Sequence, residues 1–152
     1  MNQIAELLPA ANIRLDLAAD SKTALFDAVG SLFEANRGLA RSTVVGSLVA
    51  REKLGSTGLG QGVAIPHGRI KGLAEAQGAF VGLTQPIAFD APDGKPVGQV
   101  FVLLVPEHAT EQHLQLLSEL AQMFSDRGFR ERLATAPDAG AVHALFSNWT
   151  AS

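Results

Sequence analysis

The chain has 152 residues, 47% of them hydrophobic and 18% charged, with a formal net charge of −3 and no cysteine. That length suits one domain, residues 1–152, built around one core, and the composition is that of a folded chain rather than a disordered one. The acidic balance, with no run of basic residues, argues against a nucleic-acid partner, and the lack of cysteine excludes disulfides, thiolate catalysis and cysteine-based zinc sites.

The opening stretch "MNQIAELLPAANIRLD" carries acids early and has no long apolar run, so it does not read as a secretory signal. No stretch approaches the ~18–20 apolar residues of a membrane helix. No membrane insertion and a cytoplasmic location are therefore expected.

Residues 21–36 place Leu25, Phe26, Val29, Leu32 and Phe33 on one helical face, with Asp20 or Ser21 as the cap and Gly38 after the end. Residues 42–54 read as a second helix, with Ser42 as N-cap and Gly55 as the residue following it. Arg51 falls in its last turn, where a cation complements the helix dipole. It also shares the inward face of Val44 and Leu48, so its side chain is expected to reach across the domain. "GVAIP" (62–66) reads as a short strand ending at Pro66, which cannot donate to a sheet ladder. Residues 78–89 and 99–106 are the best strand candidates. The second is apolar on both faces, hence central, and the segment between them is a loop. Residues 110–125 return to helical period with His113, Leu116, Leu117, Leu120 and Phe124 on one face. Residues 127–134 and 138–146 read as two shorter helices. Helices, then strands, then helices predict an α/β or α+β sandwich with a central mixed sheet.

Three features carry chemistry. His67 lies between Pro66 and Gly68, at a strand end with no bulky successor, where a neutral imidazole is available at pH 7. The loop "GSTGLGQG" (55–62) offers backbone N–H groups and the hydroxyls of Ser56 and Thr57 to an anion. It is not a P-loop, lacking Gly-Lys-Ser/Thr before a helix. It is not a dinucleotide fingerprint, because it follows a helix and precedes a strand. No Ser nucleophile elbow is present either. His113 stands near a helix N-terminus, where an anion is favoured. His108 and His113 are about 140° apart around a helix, so they are not a metal pair, and no metal or other cofactor is expected. Each feature also has an ordinary reading: a turn histidine, a flexible connection, a partly buried histidine. Together with the inward Arg51, they suit a phosphoryl group carried on histidine, with charged oxygens held by Arg51, loop N–H groups and His113.

"REKLGSTGLGQGVAIPHGR" (51–69) resembles the signature of the mannitol/fructose-type IIA proteins of the bacterial phosphoenolpyruvate-dependent phosphotransferase system. "LLVPEHATEQHLQLLSELAQMF" (103–124) is similar to that family's second block. The resemblance implies a single three-layer α/β domain, a small mixed β-sheet flanked by helices. It implies that His67 is phosphorylated at Nε2, with Arg51 and His113 as active-site partners and Ser56 and Thr57 in the adjoining loop. Within the family, a chain with "GSTG" and no IIB or IIC segment looks most like the nitrogen-regulatory branch. Such proteins take the phosphoryl group from a small histidine phosphocarrier protein and regulate targets of the potassium-transport or sensor-kinase type. A sugar-specific IIA passing phosphate to a IIB cysteine, and a binding-only module without phosphotransfer, remain as alternatives.

Overall fold

The predicted stripe of the first long helix is buried from end to end. In the computed structural model, which describes residues 2–108 and 110–150, Leu25, Phe26, Val29, Leu32 and Phe33 all lie in the core. The chain begins with a short helix α1 (Gln3–Glu6), a 3-10 turn (Ala10–Asn12) and strand β1 (Ile13–Leu17). Helix α2 (Lys22–Arg37) follows. Ser21 caps it by accepting the Ala24 N–H at 3.1 Å, and Gly38 ends it in the left-handed region at φ 70°. Helix α3 (Arg41–Glu52) does not use Ser42 as its cap. Ala40 occupies that position, and the Glu34 carboxylate from α2 accepts the Arg41 N–H at 3.0 Å. A tertiary contact thus replaces the local cap, and the helix starts and stops earlier than its periodicity suggests.

Six strands among the described residues form one sheet: β1, β2 (Gly58–Gly60), β3 (Val63–Ala64), β4 (His67–Ile70), β5 (Gln77–Ile87) and β6 (Val97–Pro106). The order is β1-β5-β6-β3-β2, with β4 also on β6. β5 runs antiparallel to β6, with Phe80 opposite Phe101. β1 is parallel to β5, and β3 and β4 are parallel to β6. The expected central strand is therefore β6. Its odd and even residues feed two cores. Val100, Val102 and Leu104 face the α2–α3 layer; Phe101, Leu103 and Val105 face α4 (Glu111–Ser125), α5 (Arg127–Thr135) and α6 (Ala139–Asn148). This alternation is the two-residue pleat of a strand buried on both sides. Phe146 anchors the second layer, its ring 5.2 Å from Phe129 and 5.5 Å from Phe101 between centroids. The three-layer mixed α/β domain is as expected.

The strand leading to His67 differs from expectation. Pro66 does interrupt the ladder, but the chain resumes pairing at once. The Pro66 carbonyl accepts the Leu103 N–H at 3.0 Å, and His67 opens β4 opposite Leu103. His67 thus starts a strand instead of closing one. β4 pairs only with β6 among the described residues, so its free side faces a cleft. Gly68 is required there: a Cβ at this position would collide with Ser47 Oγ and stand 3.0 Å from Ser47 Cβ. Ser47 Oγ in turn donates to the Arg69 carbonyl at 3.1 Å, tying α3 to β4. Gly68→Ala is expected to cost about 1–3 kcal/mol by overpacking this seam, read as a lower urea midpoint.

Candidate functional site

Three segments meet at the free edge of β4. The last turn of α3 brings Arg51, the start of β4 brings His67, and the first turn of α4 brings His113. Together with Ser47, Arg69 and apolar neighbours they line a cleft of about 540 Å³.

The His67 ring is held from both nitrogens. Nδ1 lies 2.9 Å from the Ile65 carbonyl oxygen, which can only accept, so Nδ1 carries the proton. Arg51 Nε–H donates to Nε2 at 3.3 Å, so Nε2 presents its lone pair. The two contacts select one neutral tautomer and aim its nucleophilic nitrogen at the guanidinium. Burial pushes the ring's pKa below the ordinary histidine value. The hydrogen bond to Ile65 opposes this, the Arg51 charge adds to it, and the Glu52 charge opposes it. The neutral ring therefore persists to more acidic pH than a free imidazole. The acid limb of any reaction at Nε2 is expected to have its midpoint below about 6.5. A pH–rate profile of single-turnover acceptance checks this.

Arg51 reaches inward as its helical position predicts. Besides His67 it donates from Nη1 to the Gly55 carbonyl at 2.9 Å, so the guanidinium is gripped on two sides. His113 occupies the third position of α4, and the Thr110 N–H donates to its Nδ1 at 3.0 Å. That leaves Nε2 of the neutral ring as the protonated atom, a donor. The two cleft histidines therefore have complementary tautomers, one with a lone pair at Nε2 and one with an N–H there. His108 is exposed beside Glu107, and His143 contacts the Ala5 carbonyl at 3.2 Å, outside the cleft lining.

Ser56 and Thr57 are not brought into the cleft lining. The Ser56 hydroxyl donates to the Phe89 carbonyl at 2.7 Å and accepts the Gly58 N–H at 3.0 Å. Thr57 Oγ1 donates to Glu52 Oε1 at 2.6 Å. Their hydroxyls fasten the loop from behind. Ser47 and Arg69 went unremarked in the sequence, although each had a signal. Ser47 precedes Arg51 by one helical turn, and Arg69 follows His67 by one strand period.

Among the described residues no cluster of three His, Cys, Asp or Glu could hold a metal, and no helix is long and apolar enough to cross a membrane. The cleft sets the Nε2 lone pair of one imidazole against a fixed guanidinium, with the N–H of a second imidazole as a further donor.

Comparison with known proteins gives a consistent result. The family model described as "Phosphoenolpyruvate-dependent sugar phosphotransferase system, EIIA 2" matches residues 6–149. A nitrogen regulatory protein of Pseudomonas aeruginosa is 52% identical over 103 residues, covering 68% of this chain and 67% of that protein. The crystal structure of nitrogen regulatory protein IIA-Ntr from Neisseria meningitidis superposes with a TM-score of 0.90 at 52% identity, covering 95% of this chain and 99% of the other. The mannitol IIA of Escherichia coli shares the fold, with a TM-score of 0.74 at 22% identity, over 90% of this chain and 96% of the other. With the predicted fold, the cleft and a family model spanning nearly its whole length in agreement, the chain belongs to the EIIA type 2 family of the phosphoenolpyruvate-dependent phosphotransferase system.

Proposed function

We propose that this protein is a phosphoryl carrier whose acceptor is His67 Nε2 and whose donor is the phosphohistidine of a small histidine phosphocarrier protein. The observation that carries this reading is the paired grip on His67: Nδ1–H on Ile65 and Nε2 against Arg51. In the transfer, the Nε2 lone pair forms the new N–P bond as the donor's N–P bond breaks, and the donor imidazole leaves with that electron pair. The proton stays on Nδ1, hydrogen-bonded to the Ile65 carbonyl. Arg51 Nε–H passes from the ring nitrogen to a phosphoryl oxygen, so the cation follows the charge it must neutralise. Positioning and charge neutralisation do most of the work in such a reaction.

His113 donates its Nε2–H to a second oxygen. His113→Ala is expected to slow acceptance by about 10²-fold, the low end of the loss typical of one oriented donor. His108→Ala and His143→Ala should leave it near the native rate in the same assay; equal losses from all three would remove His113 from the site. Ser56 and Thr57 support the phosphoryl group indirectly, through the loop they hold.

A protein donor suits the rim of the cleft. Leu54 is 83% exposed and Leu114 59%, and both line the opening, where a partner surface would cover them. The nitrogen regulatory names of the relatives support the regulatory branch; a cytoplasmic location and targets of the potassium-transport or sensor-kinase type are what the resemblance to that branch implies. The test is to incubate the purified protein with phosphoenolpyruvate, enzyme I and the phosphocarrier, then weigh it. One acid-labile phosphoryl group is expected. No gain with a competent cognate relay would leave a binding-only module, and onward transfer to a IIB cysteine would assign the sugar branch.

A further inference from the structure

The transfer just described uses Arg51 directly and gives no part to its neighbour. Yet Glu52 is the most heavily engaged carboxylate near the site. Its side chain is 8% exposed and accepts from Lys22 Nζ at 2.9 Å. It also accepts the Thr57 N–H at 3.2 Å on each oxygen and the Thr57 hydroxyl at 2.6 Å. Lys22 comes from α2, and its ammonium sits 4.7 Å above the Phe89 ring. The carboxylate thus joins α2, the end of α3 and the start of β2 at one point.

That point lies beneath the turn that holds Arg51. The chain leaves α3 at Glu52, turns through Lys53 and Leu54, and presents the Gly55 carbonyl to Arg51 Nη1 at 2.9 Å. Gly55 has φ 148°, open to glycine and strained for other residues. Two residues on, Thr57 is pulled back to Glu52, and between them Ser56 is pinned to the Phe89 carbonyl. These ties add to the backbone hydrogen bond from the Gly55 N–H to the Glu52 carbonyl at 3.2 Å in setting the direction of the Gly55 carbonyl, and through it one of the two grips on the guanidinium. A long arginine side chain loses rotamer freedom when ordered, so holding it in advance is a contribution to the rate.

We infer that Glu52 is a positioning residue for Arg51. Its carboxylate, clamped by Lys22 and Thr57, sets the 53–57 turn so that the Gly55 carbonyl fixes the guanidinium against His67 Nε2. The inference rests on the phosphoryl-carrier reading for its effect on rate, though not for its effect on Arg51 itself.

The experiment combines Glu52→Gln with a double-mutant cycle against Arg51→Ala. Two readouts are used: exchange of the Arg51 Nε–H with water by NMR in the unphosphorylated protein, and single-turnover phosphorylation. Glu52→Gln is expected to speed that exchange several-fold and slow phosphorylation roughly fivefold to tenfold in the native background. In the Arg51→Ala background it should cause no further loss. The same loss in both backgrounds, or unchanged exchange, would overturn the inference. Thr57→Val removes the 2.6 Å donor without altering charge. It should act in the same direction, and it carries the test if Glu52→Gln lowers the melting temperature too far to assay. If the native protein accepts no phosphoryl group, the carrier reading fails and the exchange measurement alone decides the role of Glu52.

Discussion

Replacing His67 with glutamine is expected to abolish phosphoryl acceptance completely while leaving the fold in place. Glutamine keeps a polar side chain of comparable length but has no basic nitrogen, so no N–P bond can form. The fold should survive because the ring is only partly buried at a sheet edge, and the two hydrogen bonds it makes, to Ile65 and Arg51, are both at the cleft. Losing both hydrogen bonds is expected to cost about 1–3 kcal/mol, short of the roughly 5–15 kcal/mol that holds a domain together. The check is mass spectrometry after the relay reaction, beside a thermal melt that stays cooperative. Acceptance by His67→Gln would move the phosphoryl group to another residue, His113 first among them.

Arg51→Ala comes next in size. Its guanidinium is fixed before the reaction by the Gly55 carbonyl and by His67 itself, so little reorganisation is needed as charge arrives. Removing such a prearranged donor is expected to lower the transfer rate by about 10²–10³-fold. The same substitution takes a cation away from His67, so the ring should titrate at higher pH than in the native protein. Rate and titration must move together if the geometry is right. A Lys at this position should restore part of the titration effect and little of the rate, since an ammonium lacks the planar fork. A variant with an unchanged rate would sever Arg51 from the chemistry.

Much of this arrangement was legible in the sequence because it depends on short-range periodicity. Val44, Leu48 and Arg51 share a helical face, and that alone sends the arginine inward. The double-sided apolar run of β6 announced a central strand. Glu34, seven residues before Arg41, caps α3 where a nearer Ser42 looked sufficient; a helix periodicity cannot show a cap supplied by another helix. β1 alternates Ile13, Leu15 and Leu17 with Arg14 and Asp16, a strand pattern short enough to pass unread beside the question of a leader. β4 is four residues long and follows a proline, so it exists only because Leu103 to Pro106 of β6 lie alongside. Ser56 and Thr57 show the opposite case. Hydroxyls in a glycine-rich loop have the chemistry to hold an anion, but their partners here are Phe89 and Glu52. Which donor meets which acceptor across 33 residues of chain is decided by the tertiary fold.

In the proposed transfer Nε2 of His67 is the nucleophile because Nδ1 is committed to the Ile65 carbonyl. A long-range proton–nitrogen correlation spectrum of the phosphorylated, nitrogen-labelled protein reads this atom by atom. Phosphorus coupled to Nε2 of His67, with Nδ1 still protonated, is the expected result. Phosphorus on Nδ1, or on any other residue, would overturn the assignment.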